Sequence, residues 1–354
     1  MIQNVLVKIL LAPLSLLYGI GISLRNLLYS SEIIKSTEFN LPVIGIGNLS
    51  LGGAGKTPHV EYLIRLLQPY IKLATLSRGY KRKTRGFLVV GRKHSALDVG
   101  DEPLQYFLKY PDVKVAVSES RSIGIPQLLQ SHPDIQTILL DDSYQHLSVQ
   151  VGLNILLTEY DRPYFNDFLL PSGRLRETSG AAKRADIIVV SKCPDELSEQ
   201  ERSTFINRLK PKANQDVFFS KYVYGPLYNL ANGQRAMLTD FDQVLLVTGI
   251  AHEDYLLKYI YSQVNQVYTL VFEDHHLFNA HEVSQMKLKF DHISSTNKAI
   301  ITTEKDATRL ILHKDYIQEQ GISIWVLPLK VSFLGLDGQG FDKRIKDFLL
   351  NFKV

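Results

Sequence analysis

"LPVIGIGNLSLGGAGKTPHVEYLIRLL", residues 41–67, decides the fold. An apolar run at 41–49 enters a glycine-rich turn, and an amphipathic stretch at 57–69 follows. Strand, turn and helix in that order are the context in which a phosphate-binding loop has meaning. Ser50, Leu51, Gly52, Gly53, Ala54, Gly55, Lys56 and Thr57 align with the pattern G-x-x-x-x-G-K-[ST]. Backbone N–H groups around Gly52, Gly53 and Gly55 can wrap phosphate oxygens, and the positive end of the following helix stabilises the anion. Lys56 is expected to bridge terminal phosphates, and the Thr57 hydroxyl to hold Mg²⁺. Ser50 stands where the pattern has its first glycine. Serine can enter the turn if its φ stays negative, with Gly52–Gly53 supplying the flexibility.

Outward from this loop, apolar runs alternate with amphipathic stretches. Strands are expected at 41–49, 72–79, 87–90, 113–118, 137–142, 153–159 and 185–191, most of them Val/Ile/Leu-rich as buried parallel strands are. The stretch 222–240, "YVYGPLYNLANGQRAMLTD", is polar and turn-rich and reads as a boundary. Strand runs resume at 243–250, 267–274, 298–304 and 322–329, and "FDKRIKDFLLNF" closes the chain as an amphipathic helix. The expected fold is α/β: a P-loop NTPase-like, mostly parallel sheet flanked by helices, a second smaller α/β domain, and an apolar N-terminal helical segment. The corresponding divisions are 1–30, 31–222 and 223–354.

The 354 residues suffice for two cores, and 45% hydrophobic with 21% charged content excludes wholesale disorder. A net charge of +4 suits an anionic substrate or a membrane surface without requiring nucleic acid. Cys193 stands alone, so no internal disulfide forms. No Cys/His cluster has zinc spacing. From Ile2 to Tyr29 the chain is mostly apolar, but only sixteen uncharged residues separate Lys8 from Arg25, short of the roughly 20 a spanning helix needs. Pro13, Gly19 and Gly21 weaken a single straight helix. The segment reads as lying in the membrane interface, with a packed core helix and a signal peptide as alternatives.

Carboxylates cluster at three places. "TILLDDSYQH" ends a strand in Asp141–Asp142, where P-loop enzymes commonly hold Mg²⁺. "VGDEPLQYF" carries Asp101–Glu102, and a kinase acting on an alcohol needs such a carboxylate near the hydroxyl. "FEDHHLF" adds His275, which could share that proton, although spacing gives no reason for residues 101 and 275 to meet. Arg121 in "SESRSIG", Arg174 and Arg176 in "LPSGRLRE", and the basic "SRGYKRKTRG" suit a phosphorylated substrate. Aromatics are not interleaved with basic residues, which disfavours a nucleic-acid track. "VVSKCPDEL" stands where GTPases carry N-K-x-D and lacks the guanine-reading aspartate, which favours ATP. A nucleotide-driven switch for a protein partner and a membrane-surface binding protein with a regulatory loop are the rival classes.

As an ordered set, "GNLSLGGAGKTP", "LSRGYKR", "GDEP", "LDDSYQH", "LPSGRLRE", "FEDHH" and "TTEKDA" resemble the tetraacyldisaccharide 4'-kinase family, the lipid A 4'-kinases of Gram-negative bacteria. The resemblance implies transfer of the ATP γ-phosphate, with Mg²⁺, to the 4'-hydroxyl of a membrane-embedded tetraacyldisaccharide 1-phosphate. It implies action at the cytoplasmic face of the inner membrane, as a peripheral or monotopic protein with no obligate protein partner. By the same resemblance Asp101 is the catalytic base and His275 its partner; closure of the second domain is expected to bring His275 toward Asp101 and exclude water. Lys56 serves catalysis from the loop. Thr57, Glu102, Asp141 and Asp142 are metal candidates, and Arg121 and Arg176 contact phosphate or lipid. Ser143, Tyr144, Arg174 and Glu273 depart from residues common in the family pattern.

Overall fold

The computed structural model describes residues 2–251 and 253–353. Helix α1 (Ile2–Ser30) precedes the first sheet, whose strands are β1 (Val43–Asn48), β2 (Leu73–Ser77), β3 (Leu88–Val89), β4 (Lys114–Val117), β5 (Thr137–Asp141), β6 (Leu153–Glu159), β7 (Ile187–Ser191) and β8 (Asp216–Tyr224). Helices α2 (Lys56–Leu67), α3 (Ala96–Val99), α4 (Asp101–Lys109), α5 (Arg121–Ser131) and α6 (Glu199–Leu209) connect them. The second sheet contains β9 (Leu227–Asn229), β10 (Arg235–Ala236), β11 (Gln243–Thr248), β12 (Gln266–Val271), β13 (Lys298–Thr303) and β14 (Ile324–Leu327). Its helices are α7 (Asp254–Tyr261), α8 (Ala280–Asp291), α9 (Glu304–Leu310) and α10 (Lys314–Glu319). Strand β15 (Leu329–Phe333) and α11 (Asp337–Leu350) end the chain.

The first sheet runs β15-β8-β7-β6-β1-β5-β2-β4-β3, with only β15 and β3 antiparallel to their neighbours. β1 lies at its centre with every residue buried, which explains the unbroken "VIGIGN" apolar run. Parallel pairing sends the C-terminal ends of β1, β5, β2, β6 and β7 to one edge, and loops at that edge are where open α/β sheets bind ligands. Register sets Ile46 opposite Asp141, level with the start of the phosphate loop. Helix α2 buries Val60, Leu63, Ile64 and Leu67, the i, i+3, i+4 stripe its sequence carries.

Two sequence expectations change here. A division at 222/223 assigns everything downstream to the second domain, yet β15 pairs antiparallel with β8 and α11 packs against both. Pro328 splits the apolar run 322–333: Ile324–Leu327 joins the second sheet, and Leu329–Phe333 returns to the first. Proline lacks the N–H a continuous strand would need there.

The second change is α1, a single helix despite Pro13. Docking onto the first body holds it together. Ser15 Oγ donates to the Leu169 carbonyl (3.1 Å) and to Ser172 Oγ (2.8 Å). Tyr18 donates to the Arg176 carbonyl (2.9 Å), and Asn26 to the wholly buried Glu177 (2.8 Å). At Gly19 a Cβ would lie 2.8 Å from Leu169 Cδ1, so glycine lets the helix approach. Val7–Ser30 is long and apolar enough, by length and composition, to cross a membrane.

Candidate active site

In the phosphate loop the left-handed positions are Gly52 (φ 107°) and Gly55 (φ 86°), and Ser50 is not among the residues with positive φ. Ser50 instead pairs antiparallel with Leu175. Leu51 N–H donates to the Arg174 carbonyl and Arg176 N–H to the Leu49 carbonyl, each at 2.7 Å. The "RLR" segment therefore holds the loop's entry extended, where serine is unstrained. Gly55 caps α2, and Lys56 and Thr57 begin it. That order aims the helix's free N–H groups at an anion.

Lys56 Nζ lies 3.0 Å from Asn48 Oδ1 and 3.6 Å from Asp142 Oδ1. Asp142 adopts φ 48° and takes a forked pair from Arg176, Nη1 to Oδ2 at 3.1 Å and Nη2 to Oδ1 at 2.8 Å. Burial works against its charge, but Lys56 and Arg176 outweigh burial and hold its pKa well below the ordinary aspartate value. Asp142 and Arg176, expected to hold metal and substrate respectively, are each other's partners in this structure.

Asp141 differs. Burial and the neighbouring Glu102 raise its pKa to about 6. Oδ2 accepts from Tyr106 OH at 3.0 Å, while the buried Oδ1 has no hydrogen-bond partner. The Thr57 side chain acts on the same Tyr106 hydroxyl, holding against the burial that raises its pKa, so Thr57 and Asp141 both neighbour it. An unpartnered buried acceptor beside a phosphate loop fits a divalent cation. Among the described residues no group of three or more His, Cys, Asp or Glu could hold a metal ion alone.

Arg121 is fully buried beneath this edge. It donates to the Ser118 carbonyl (3.2 Å) and the Asp141 carbonyl (3.1 Å), and burial lowers its pKa to about 10. Instead of presenting its guanidinium to a substrate, it supports the end of β5. Of the departures from the family pattern, Tyr144 donates to the Ala181 carbonyl (2.8 Å) and Arg174 Nε bonds Asp167 (2.9 Å). Ser143 N–H donates to the Ile46 carbonyl (3.1 Å). Each has local partners, and none intrudes on the loop.

Asp101 and His275 do meet. His275 Nδ1 lies 2.7 Å from Asp101 Oδ2, with both side chains more than nine-tenths buried. Asp101 opens α4, and His275 follows β12 in a left-handed backbone conformation, φ 62°. Such strain in a non-glycine residue costs about 1–3 kcal/mol and is retained where surrounding contacts over-determine it. Here the contacts are the His275 N–H to the Gly249 carbonyl (3.2 Å) and the ring of Tyr80, 4.9 Å away between centroids. Lys81 Nζ, from the same "SRGYK" loop, donates to the Asp274 carbonyl (3.0 Å).

Two cations without an assigned role from sequence complete the group. Lys305 Nζ is 3.1 Å from Glu102 and 3.0 Å from His275 Nε2. Arg309 Nη1 is 3.2 Å from Asp101 Oδ2. Burial opposes a charged Glu102, yet the Lys305 ammonium brings its pKa below the ordinary value. "TTEKDA" entered the sequence reading only as one of the motifs that carry the family resemblance, with no role given to its lysine. Its spatial partners were not encoded nearby.

A family model described as tetraacyldisaccharide-1-P 4'-kinase matches residues 7–350. A tetraacyldisaccharide 4'-kinase from Flavobacterium johnsoniae (strain UW101) is 43% identical over 348 residues, 98% of each chain. One from Bacteroides fragilis (strain YCH46) is 41% identical over 343 residues, 95% of this chain and 91% of the relative. The crystal structure of an "apo" form of LpxK from Aquifex aeolicus in complex with ATP superposes with a TM-score of 0.74 at 28% identity, covering 97% of this chain and 99% of that one. The phosphate loop, the strand-end carboxylates and these end-to-end matches agree, and the chain belongs to the tetraacyldisaccharide-1-P 4'-kinase family.

Proposed function

We infer that this protein is a kinase of lipid A biosynthesis that transfers the γ-phosphate of ATP to the 4'-hydroxyl of a tetraacyldisaccharide 1-phosphate. The observation that carries the reading is the coexistence, at one edge of the first sheet, of a phosphate loop and a buried carboxylate–imidazole pair. In this mechanism Gly52–Thr57 bind the ATP phosphates through backbone N–H groups, and Lys56 leaves Asn48 and Asp142 for the terminal phosphates. Thr57 and Asp141 would hold Mg²⁺, which when bound offsets charge on the phosphates. Asp101 takes the proton of the attacking hydroxyl, and His275 orients Asp101. The buried surroundings keep water from competing as acceptor.

The same reading gives α1 its use. Leu10, Leu16, Leu17, Ile20 and Leu27 are exposed, while Ser15, Tyr18 and Asn26 bind the body. A helix with one face docked and the other apolar suits the membrane interface, where each buried CH₂ contributes about 0.8 kcal/mol. A four-chain lipid stays in the bilayer, so the helix would bring the cleft to the headgroups at the cytoplasmic face of the inner membrane.

Detergent-solubilised protein incubated with γ-labelled ATP, Mg²⁺ and tetraacyldisaccharide 1-phosphate tests the assignment, with Lys56→Ala and Asp101→Ala alongside. Label in the lipid, lost in both variants, is expected. ATP consumption with no labelled lipid would overturn the acceptor, and binding without turnover would overturn the kinase.

A further inference from the structure

Helix α9 follows β13 directly, and the Thr303 side chain caps it by accepting from Asp306 N–H at 3.1 Å. Lys305 and Arg309 are four residues apart and so share one face. α9 packs against α4, the helix that Asp101 and Glu102 open. Arg309 is wholly buried; Nη1 reaches Asp101 Oδ2 (3.2 Å), and Nη2 reaches the Gly249 carbonyl (3.1 Å) and Asp306. Lys305 Nζ lies 3.0 Å from His275 Nε2, 3.1 Å from Glu102 Oε1 and 3.5 Å from Asp274 Oδ1.

An ammonium can only donate. Burial would lower the Lys305 pKa, but the carboxylates of Glu102, Asp274 and Asp101 outweigh it and raise the value, so the group is charged. His275 Nε2 must then present its lone pair to Lys305, which leaves the ring proton on Nδ1, 2.7 Å from Asp101 Oδ2. Both the His275 and Arg309 bonds to Asp101 end on Oδ2. Oδ1 is therefore the oxygen left to accept a hydroxyl.

We propose that Lys305 is a positioning residue that sets the tautomer of His275, holding Nδ1–H on Asp101 Oδ2 and so directing Asp101 Oδ1 at the acceptor hydroxyl. The inference rests on the kinase reading for its consequence, though the tautomer itself is independent of it. In the step it serves, the hydroxyl proton passes to Asp101 Oδ1. The oxygen bonds the γ-phosphorus, and the γ-phosphorus–oxygen bond to ADP breaks with its electron pair on ADP. A hydrogen on Nε2 would face the Lys305 ammonium, so the neutral ring carries its hydrogen on Nδ1. The other charged groups around the ring are Asp274 (3.7 Å from Nε2), Glu102 and Arg309.

Histidine-selective ¹⁵N labelling of the full chain in detergent, with His275 identified by its absence in His275→Gln, reads the tautomer without substrate. The wild-type ring is expected with hydrogen on Nδ1 and bare Nε2. In Lys305→Met that preference should be lost, kcat should fall roughly ten- to hundredfold, and KM for ATP should stay within about twofold. Lys305→Arg should restore the tautomer and most of kcat. A wild-type ring with hydrogen on Nε2 overturns the proposal even if Lys305→Met fails to fold. An unchanged tautomer in Lys305→Met overturns it whatever the activity. Failure of the kinase reading would appear separately, as wild-type protein that labels no lipid.

Discussion

The phosphate loop and the Asp101–His275 contact solve related electrostatic problems by different means. The loop spans eight consecutive residues and works through backbone conformation at Gly52 and Gly55. The contact joins side chains 174 positions apart, held by a lysine and an arginine from a third element. Backbone N–H groups converge on an anion only if neighbouring residues turn together, so that site must be contiguous. A carboxylate and an imidazole need only be brought within about 3 Å, and any two packed elements can do that.

If the comparison is right, losses on the two sides should differ in kind. Asp101→Asn is expected to lower kcat by about 10²–10⁴-fold while ATP affinity stays nearly constant, whereas Lys56→Ala should weaken ATP binding as well. Equal effects on ATP affinity, measured by calorimetry, would erase the distinction. Arg309→Met should act next most strongly, and on stability. It leaves Asp306 buried without its cation, at a cost of about 3–5 kcal/mol, visible as a lower urea midpoint.

Asp141 belongs to the loop side yet should behave the opposite way. Its folded pKa, about 6, lies above the ordinary 3.8, so the stabilisation is complete below about 3.8 and lost as pH rises through about 6. Without metal or nucleotide at pH 7.5, Asp141→Asn is expected to be more stable than wild type by on the order of 2 kcal/mol, and to lose that advantage at the acid end of the window. An unchanged or lower urea midpoint at pH 7.5 would mean the carboxylate is better satisfied than its unpartnered Oδ1 suggests. Ser50→Gly should be the mildest. With φ already negative, glycine adds only chain entropy to the unfolded state, less than about 1 kcal/mol, and turnover should stay within about twofold. A large gain in ATP affinity would show that the serine strains the loop.

Legibility followed the same division. Strands β1, β2, β4, β5, β6 and β7 were readable because burial on both faces leaves continuous Val/Ile/Leu runs. β8, "DVFFSKYVY", was missed because its polar and apolar residues mix and its end overlaps the turn-rich boundary. Pro13 argued against one helix, and the bonds from Ser15, Tyr18 and Asn26 to residues 169–177 that support it are invisible to local propensity. Asp142 and Arg176 had the right chemistry for metal and phosphate, yet their forked pair is a fact of packing.

By itself the sequence determined the α/β class, the phosphate loop with its lysine and threonine, and the carboxylates at the ends of strands. Each depends on residues adjacent in the chain, where backbone conformation and burial period are written directly. Only the tertiary structure decided that the last strand and helix return to the first sheet, and that Arg121 supports β5 from beneath. It alone brought Asp101, His275, Lys305 and Arg309 together across two sheets. Those outcomes rest on contacts between distant segments, and such contacts exist only once both sheets have folded and α9 has packed on α4.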